Sequence, residues 1–314
     1  MGESGLVPPP VATFDPVTTY PGLKAALSAC AGDVETVLEE LLPKSGAAHG
    51  RVHEAMRYAI FAGGKRLRPF LILESAALFG VPRRRALRTA AAIETLHTYS
   101  LVHDDLPAMD DDDLRRGQPT THRRFDEATA ILAGDALLTL AFEILAAPET
   151  HPAGEVRAQL VARLAQAAGS DGMIGGQMLD IEAPGQNPGA PDVMDLQRRK
   201  TGALFTFSCL AGPVLAERGA ADLVALEAYA EAFGLAFQIA DDLLDVLGAV
   251  ETAGKAVGKD QALGKATLVS LWGVERAQAE VRRLAETASA ALAPYGAAAD
   301  VMRALPFYLL DRGA

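Results

Sequence analysis

Residues 228–247 read AYAEAFGLAFQIADDLLDVL, and this stretch decides the fold. It is rich in Ala, Leu and Glu, all good helix formers, and it lacks the polar–apolar alternation of a half-buried strand. Apolar residues cover more than one face, as in a helix buried inside a bundle or at a subunit interface. Asp241 and Asp245 are set into this apolar segment. Four positions apart on a helix, they share a face, with roughly 5–6 Å between Cβ atoms.

A denser acidic motif lies upstream. Leu101–Gly117 reads LVHDDLPAMDDDDLRRG and carries Asp104, Asp105, Asp110, Asp111, Asp112 and Asp113, followed by Arg115 and Arg116. Two carboxylates about 4 Å apart repel by roughly 4 kcal/mol at an effective dielectric near 20, so the cluster requires water or cations. An acidic run by itself is also what a solvated loop looks like, but here an apolar helical stretch, 90–102, leads into it. Pro107 cannot continue a regular helix without losing a hydrogen bond. The helix should therefore end near Asp104, with Asp110 folding back toward it. Two carboxylate pairs facing one space suit Mg²⁺, which takes oxygen ligands and completes its shell with water and substrate phosphates.

Working outward, the periodicity predicts helices over 22–42, 51–62, 66–79, 83–104, 126–146, 154–181, 192–216, 220–247, 268–292 and 297–311. Gly/Pro breakers lie between them, as at 43–50, 80–82, 148–154, 184–191, 248–264 and 294–296, and another falls at 212–213. No hairpin or short tandem repeat is evident. The expectation is an all-α, single-domain helical bundle over 21–314 with its site in a deep, central, apolar cavity between helices, preceded by a loosely ordered segment over 1–20.

The chain has 314 residues, half of them hydrophobic, and a net charge of −11. That charge argues against a nucleic-acid partner. Cys30 and Cys209 lack metal-ligand spacing and make a disulfide framework unexpected, which fits a reducing cytosol. No signal peptide is recognisable at the start, and no run of about 18 uninterrupted apolar residues is present to span a membrane.

Against the overall acidity, cations concentrate in short motifs. GGKRLRP at 63–69 puts Lys65, Arg66 and Arg68 beside two glycines at a helix start, a place where backbone N–H groups and side chains converge on anions. It also reads as a solvated basic turn. Arg198, Arg199, Lys200 and Thr201 form a second cationic cluster, and Lys255, Lys259 and Lys265 lie in a Gly/Lys-rich segment, 248–265, with the look of a lid. Gln238, three residues before Asp241, should point into the same cavity. The sequence offers no nucleophile triad and no Walker loop, so nucleotide hydrolysis is not expected. The chemistry that fits acidic motifs, cationic patches and an apolar bundle is departure of a diphosphate from an apolar substrate.

Taken together, GGKRLRP (63–69), HTYSLVHDDLPAMDDDDLRRG (97–117), GDAL (134–137), GGQMLD (175–180), KTGALF (200–205), GLAFQIADDLLD (234–245) and GK…GKD…GK (254–265) resemble the trans-type isoprenyl diphosphate synthases of the polyprenyl synthetase family. Within it the bacterial farnesyl diphosphate branch is most similar. The likeness runs from about Leu23 to Arg312. The chain departs from it at Thr267-Leu268-Val269, where many relatives have Thr-Tyr-Pro, and in a C-terminus, DRGA, less basic than is common.

The resemblance implies a Mg²⁺-dependent (or Mn²⁺-dependent) prenyltransferase acting on small isoprenyl diphosphates, cytoplasmic and homodimeric. It implies Asp104, Asp110 and Asp241 as direct metal ligands, supported by Asp105 and Asp245. Arg115, Lys200 and Lys255, with Lys265 on closure, would bind the allylic diphosphate. Gly64, Lys65, Arg68, His97 and Arg116 would bind isopentenyl diphosphate. Oxygens of Thr201, the Lys200 carbonyl and Gln238 would steady the carbocation, and Tyr99, as the pocket floor beyond small Ser100, would limit chain length. Rival readings are a geranylgeranyl diphosphate synthase, a helical metal phosphohydrolase built on His103-Asp104, a non-catalytic subunit and a class I terpene cyclase.

Overall fold

Asp15 caps the first helix. Its carboxylate accepts a hydrogen bond from the Val17 amide at 3.0 Å, and Pro16 occupies the first helical position, where the missing N–H costs nothing. A computed structural model describes residues 14–44, 46, 49–186, 188–251 and 266–310. The first helix, α1 (Pro16–Leu41), starts six residues before the periodicity predicted, because this cap lies outside the apolar repeat. Leu23, Cys30, Val34 and Leu38 form its buried stripe.

The helices that follow are α2 (Gly50–Ile60), α3 (Leu67–Leu78) and α4 (Arg83–Asp104). Then come the short α5 (Thr121–Arg124), α6 (Glu127–Ala146), α7 (Gly154–Ala168), α8 (Met173–Glu182) and α9 (Ala190–Gln197). A π-helical turn, Arg198–Gly202, joins α9 to α10 (Ala203–Leu215). Next are α11 (Ala220–Glu251), α12 (Leu268–Trp272), α13 (Val274–Ala291), a 3₁₀ segment Ala293–Ala299, and α14 (Asp300–Leu310). The architecture is all-α. Buried α4 packs on α3 and α6, α10 packs on α3 and α11, and α11 packs on α13.

Close approach explains two features. A Cβ on Gly212 would lie 2.3 Å from the Ser75 carbonyl carbon, so α10 and α3 cross backbone to backbone, and Gly212-Pro213 lies inside a helix rather than breaking it. Phe205 of α10 and Tyr229, Phe233 and Phe237 of α11 form a ring cluster, Phe205 meeting Phe233 edge-on at 5.0 Å.

Several sequence expectations are corrected. The helix predicted over 154–181 is two, because Gly169 and Gly172 turn the chain: a Cβ on Gly172 would lie 2.2 Å from the Ala167 carbonyl oxygen. The helix predicted over 268–292 breaks at Gly273, whose φ is 79°. A hairpin, not expected, pairs Leu114–Arg115 with Gln118–Pro119. Its central residues Arg116 and Gly117 have φ 54° and 77°, the signs of a type I′ turn. Two helices, Glu127–Ala146 and Ala220–Leu247, reach the length and mean hydropathy of a membrane span. Acids interrupt both, and 44% and 50% of their apolar windows are buried in the bundle.

Candidate active site

Helix α4 ends at Asp104, as Pro107 requires, and the chain folds back so that the Asp110 amide donates to the Asp104 carbonyl at 2.9 Å. Asp104 and Asp110 are thus brought together. Burial, reinforced by the charges of Asp110 and Asp105, pushes the Asp104 carboxyl up to about 6 despite the opposing pull of Lys200. This is a carboxylate set that wants a cation. Among the described residues no three His, Cys, Asp or Glu side chains converge tightly enough to form a cage. A buried, mutually repelling carboxylate pair of this kind fits a hard cation such as Mg²⁺, which one or two carboxylates hold together with substrate phosphates.

Asp105 faces elsewhere. It is buried and accepts from Arg115 Nε and Nη2 at 2.6 Å, with Asp112 3.9 Å from the same guanidinium. Asp241 and Asp245 lie on α11, Asp241 exposed and Asp245 half-buried.

The opposite wall comes from the π-helical turn. Arg198 and Arg199 pair with Asp195, and Arg199 also donates to the Asp171 carbonyl. Both line an outer groove of about 710 Å³ that includes none of Asp104, Asp110, Lys200 or Thr201. Only Lys200 and Thr201 of that basic cluster face inward. The Lys200 ammonium holds Asp180 at 2.6 Å. Thr201 Oγ1 donates to Gln238 Oε1 at 3.0 Å, Gln238 Nε2 donates to Asp242 Oδ1 at 3.0 Å, and Gln197 reaches the other Asp242 oxygen at 3.3 Å. A Cβ on Gly176 would lie 2.2 Å from the Lys200 backbone nitrogen, so that glycine lets α8 press against the turn.

The basic motif near α3 forms a separate group. Arg66 is buried in a left-handed conformation, φ 47°, against Glu94 at 2.5 Å, which ties the turn to α4. Arg116 donates to the Gly63 carbonyl and lies over Gly64, where a Cβ would come within 2.7 Å of its guanidinium. Arg68 approaches His97 Nε2 at 3.4 Å and covers the Phe205 ring at 4.6 Å. Burial, then Arg68 and Arg116, hold the His97 imidazole well below its usual range, so it is neutral. Burial lowers Arg68 itself to about 10, which leaves it charged at neutral pH. Lys65 is exposed.

Two cavities meet at Lys200 and Thr201. One, about 400 Å³, is lined by Asp110, Asp180, Gln238 and Asp242 as well. The other, about 560 Å³, is mainly apolar and runs past Asp104, Arg68 and His97 to Tyr99, Ser100, Leu138, Met173 and Met178. Lys255, Lys259 and Lys265 lie outside the described residues. Sequence reasoning assigned no part to Asp180 or Asp242, although both stand inside quoted motifs, GGQMLD and DDLLD. Their signal was an acid placed one residue from, or at the end of, a marker run.

The polyprenyl synthetase family model matches residues 49–303. A farnesyl diphosphate synthase of Escherichia coli is 43% identical over 291 residues, covering 91% of this chain and 97% of that protein. A geranylgeranyl diphosphate synthase of Cyanophora paradoxa is 38% identical, covering 89% of this chain and 93% of that protein. An FPP/GFPP synthase from Zymomonas mobilis, solved in its apo form, superposes with a TM-score of 0.84 at 44% identity, over 92% of this chain and 99% of that one.

Proposed function

The chain belongs to the polyprenyl synthetase family, and from that premise we propose that it condenses isopentenyl diphosphate with dimethylallyl and then geranyl diphosphate to give (E,E)-farnesyl diphosphate. One observation carries the reading: Lys200 and Thr201 stand where an acid-lined cleft meets an apolar cavity. A substrate with an anionic head and a hydrocarbon tail fits across that seam.

The allylic diphosphate sits with its head between Asp104, Asp110 and Asp241, held also by Lys200 and Arg115. Mg²⁺, when bound, supplies Lewis-acid neutralisation of the diphosphate oxygens. Lys200 leaves Asp180 to meet the phosphate, and Arg115 is steadied by Asp105. The allylic C–O bond breaks and its electron pair leaves with diphosphate. Thr201, the Lys200 carbonyl and Gln238 turn oxygen dipoles toward the resulting cation. Neutral His97, with Arg68, Arg116, Lys65 and Gly64, orients isopentenyl diphosphate. Its double bond supplies the electrons of the new C–C bond, and the proton then lost goes to the departed diphosphate. The apolar wall excludes water, which would otherwise capture the cation.

Tyr99 and Ser100 line the apolar cavity, which supports a fifteen-carbon limit set at Tyr99. The twenty-carbon product is the second reading, favoured by the likeness to the Cyanophora enzyme. We also take residues 21–314 as one synthase domain and the enzyme as cytoplasmic. Pairing of two copies is supported by the exposed Ile131 and Leu132 on α6, which line neither cavity. The test mixes both five-carbon substrates with Mg²⁺ and follows diphosphate release and product length. Diphosphate should appear only when both substrates are present, with farnesyl diphosphate as the end product. Phosphate released from one substrate alone would overturn the reading.

A further inference from the structure

GDAL (134–137) has no part in the chemistry above, yet its glycine is needed where it stands. A Cβ on Gly134 would lie 2.1 Å from His103 Nε2 and 2.4 Å from its Cδ2. The α6 backbone therefore opens a slot at this position, and the His103 ring fills it. Within the slot Nε2 lies 3.1 Å from the Ile131 carbonyl oxygen, and the Asp135 carboxylate is 4.0 Å away. One helical turn before His103 on α4 is Tyr99, whose ring meets the His103 ring edge-on at 5.6 Å with planes at 84°.

We propose that His103, seated in the Gly134 slot, is a positioning residue that fixes the Tyr99 ring across the apolar cavity and so sets product length. The inference rests on the synthase reading and on Tyr99 as the limiting residue. On an ideal helix Tyr99 is rotated well away from the line of Ser100 and Asp104, so its ring needs an outside support to stand in the tail's path. His103 lies i+4 to it, on the same face, and borders the same cavity. The hydrogen bond to Ile131 stops the imidazole from turning, and an aromatic edge contact gives Tyr99 a preferred orientation. His103 touches no reacting atom; its effect passes through Tyr99.

The test measures the ratio of twenty-carbon to fifteen-carbon product from dimethylallyl and isopentenyl diphosphates with the full chain. His103→Ala should raise that ratio by roughly twofold to tenfold, the population change that loss of one aromatic contact allows. Gly134→Ala should move it the same way by expelling the imidazole; if that variant does not fold, His103→Ala alone decides. Tyr99→Ala serves as reference and should lengthen the product further. In its background, adding His103→Ala should change nothing. A ratio that stays fixed in His103→Ala while Tyr99→Ala shifts it would overturn the positioning role and leave the synthase reading standing. So would a fall in total turnover without any change in ratio, or further lengthening by the double variant. If Tyr99→Ala has no effect either, the floor is elsewhere and both inferences fall.

Discussion

Replacing Asp104 by asparagine should stabilise the metal-free protein at neutral pH. The folded carboxyl is raised from 3.8 to about 6, first by burial and then by Asp110 and Asp105. Ionising it thus costs the folded state more than the unfolded one. Below pH 3.8 both states are protonated and nothing is lost. As pH rises from there to 6, the unfolded chain releases the proton first and stability falls; above 6 the loss is complete. Raising a carboxyl this far corresponds to about 3 kcal/mol. Partial solvent access reduces this to about 1–3 kcal/mol. For a chain of this length the unfolding entropy makes that a gain of roughly 2–5 °C in Tm for Asp104→Asn at pH 7.5, shrinking to about a third at pH 4.5. Thermal unfolding in chelator at the two pH values is the assay. With Mg²⁺ and inorganic diphosphate added, the order should reverse, because the wild-type carboxylate then has its cation. A lower Tm for the variant in chelator at pH 7.5 would show that ionised Asp104 already has a stabilising partner, and the expected cost of its charge would be wrong.

Arg68→Ala should mainly raise the KM for isopentenyl diphosphate and Lys200→Ala that for the allylic substrate, each by the loss of about 1.5–3 kcal/mol of charge-assisted contact; steady-state kinetics with each substrate varied would expose a wrong division by equal effects. Asp241→Ala should cut turnover by orders of magnitude without altering the helical circular dichroism, and wild-type turnover would remove it from the ligand set. Gly212→Ala should lower stability by about 2 kcal/mol or more, since its methyl group meets the α3 backbone at Ser75; chemical denaturation that finds no change would show that the two helices can part.

The local geometry around the two aspartate motifs was legible because its signals are local. Pro107 foretold the end of α4, and the spacing of Asp241 and Asp245 foretold a shared helix. The inward pair Lys200 and Thr201 could not be separated from Arg198 and Arg199 by composition, since the division depends on the pitch of one turn. Likewise Asp180 and Asp242 matter through partners 20 and 45 residues away, and no local pattern reports such contacts. The break at Gly169–Gly172 was hidden by the helix formers on either side. The Arg116-Gly117 hairpin was hidden by its two-residue strands, too short to alternate.

The π-helical turn acts as a phase shifter. It holds one residue more than an α-helical turn would, and one residue is about 100° of rotation. Deleting a single position there would let α9 and α10 merge at ordinary pitch and would swing the basic tetrad relative to the buried face of α10. Arg198 and Arg199 now look outward and Lys200 inward; after such a deletion that division would move by one position. The aim of the ammonium is therefore stored in the length of the chain as well as in the identity of its side chains. A family member that kept every motif but lost one residue between Gln197 and Ala203 would carry the right letters on the wrong side of the helix.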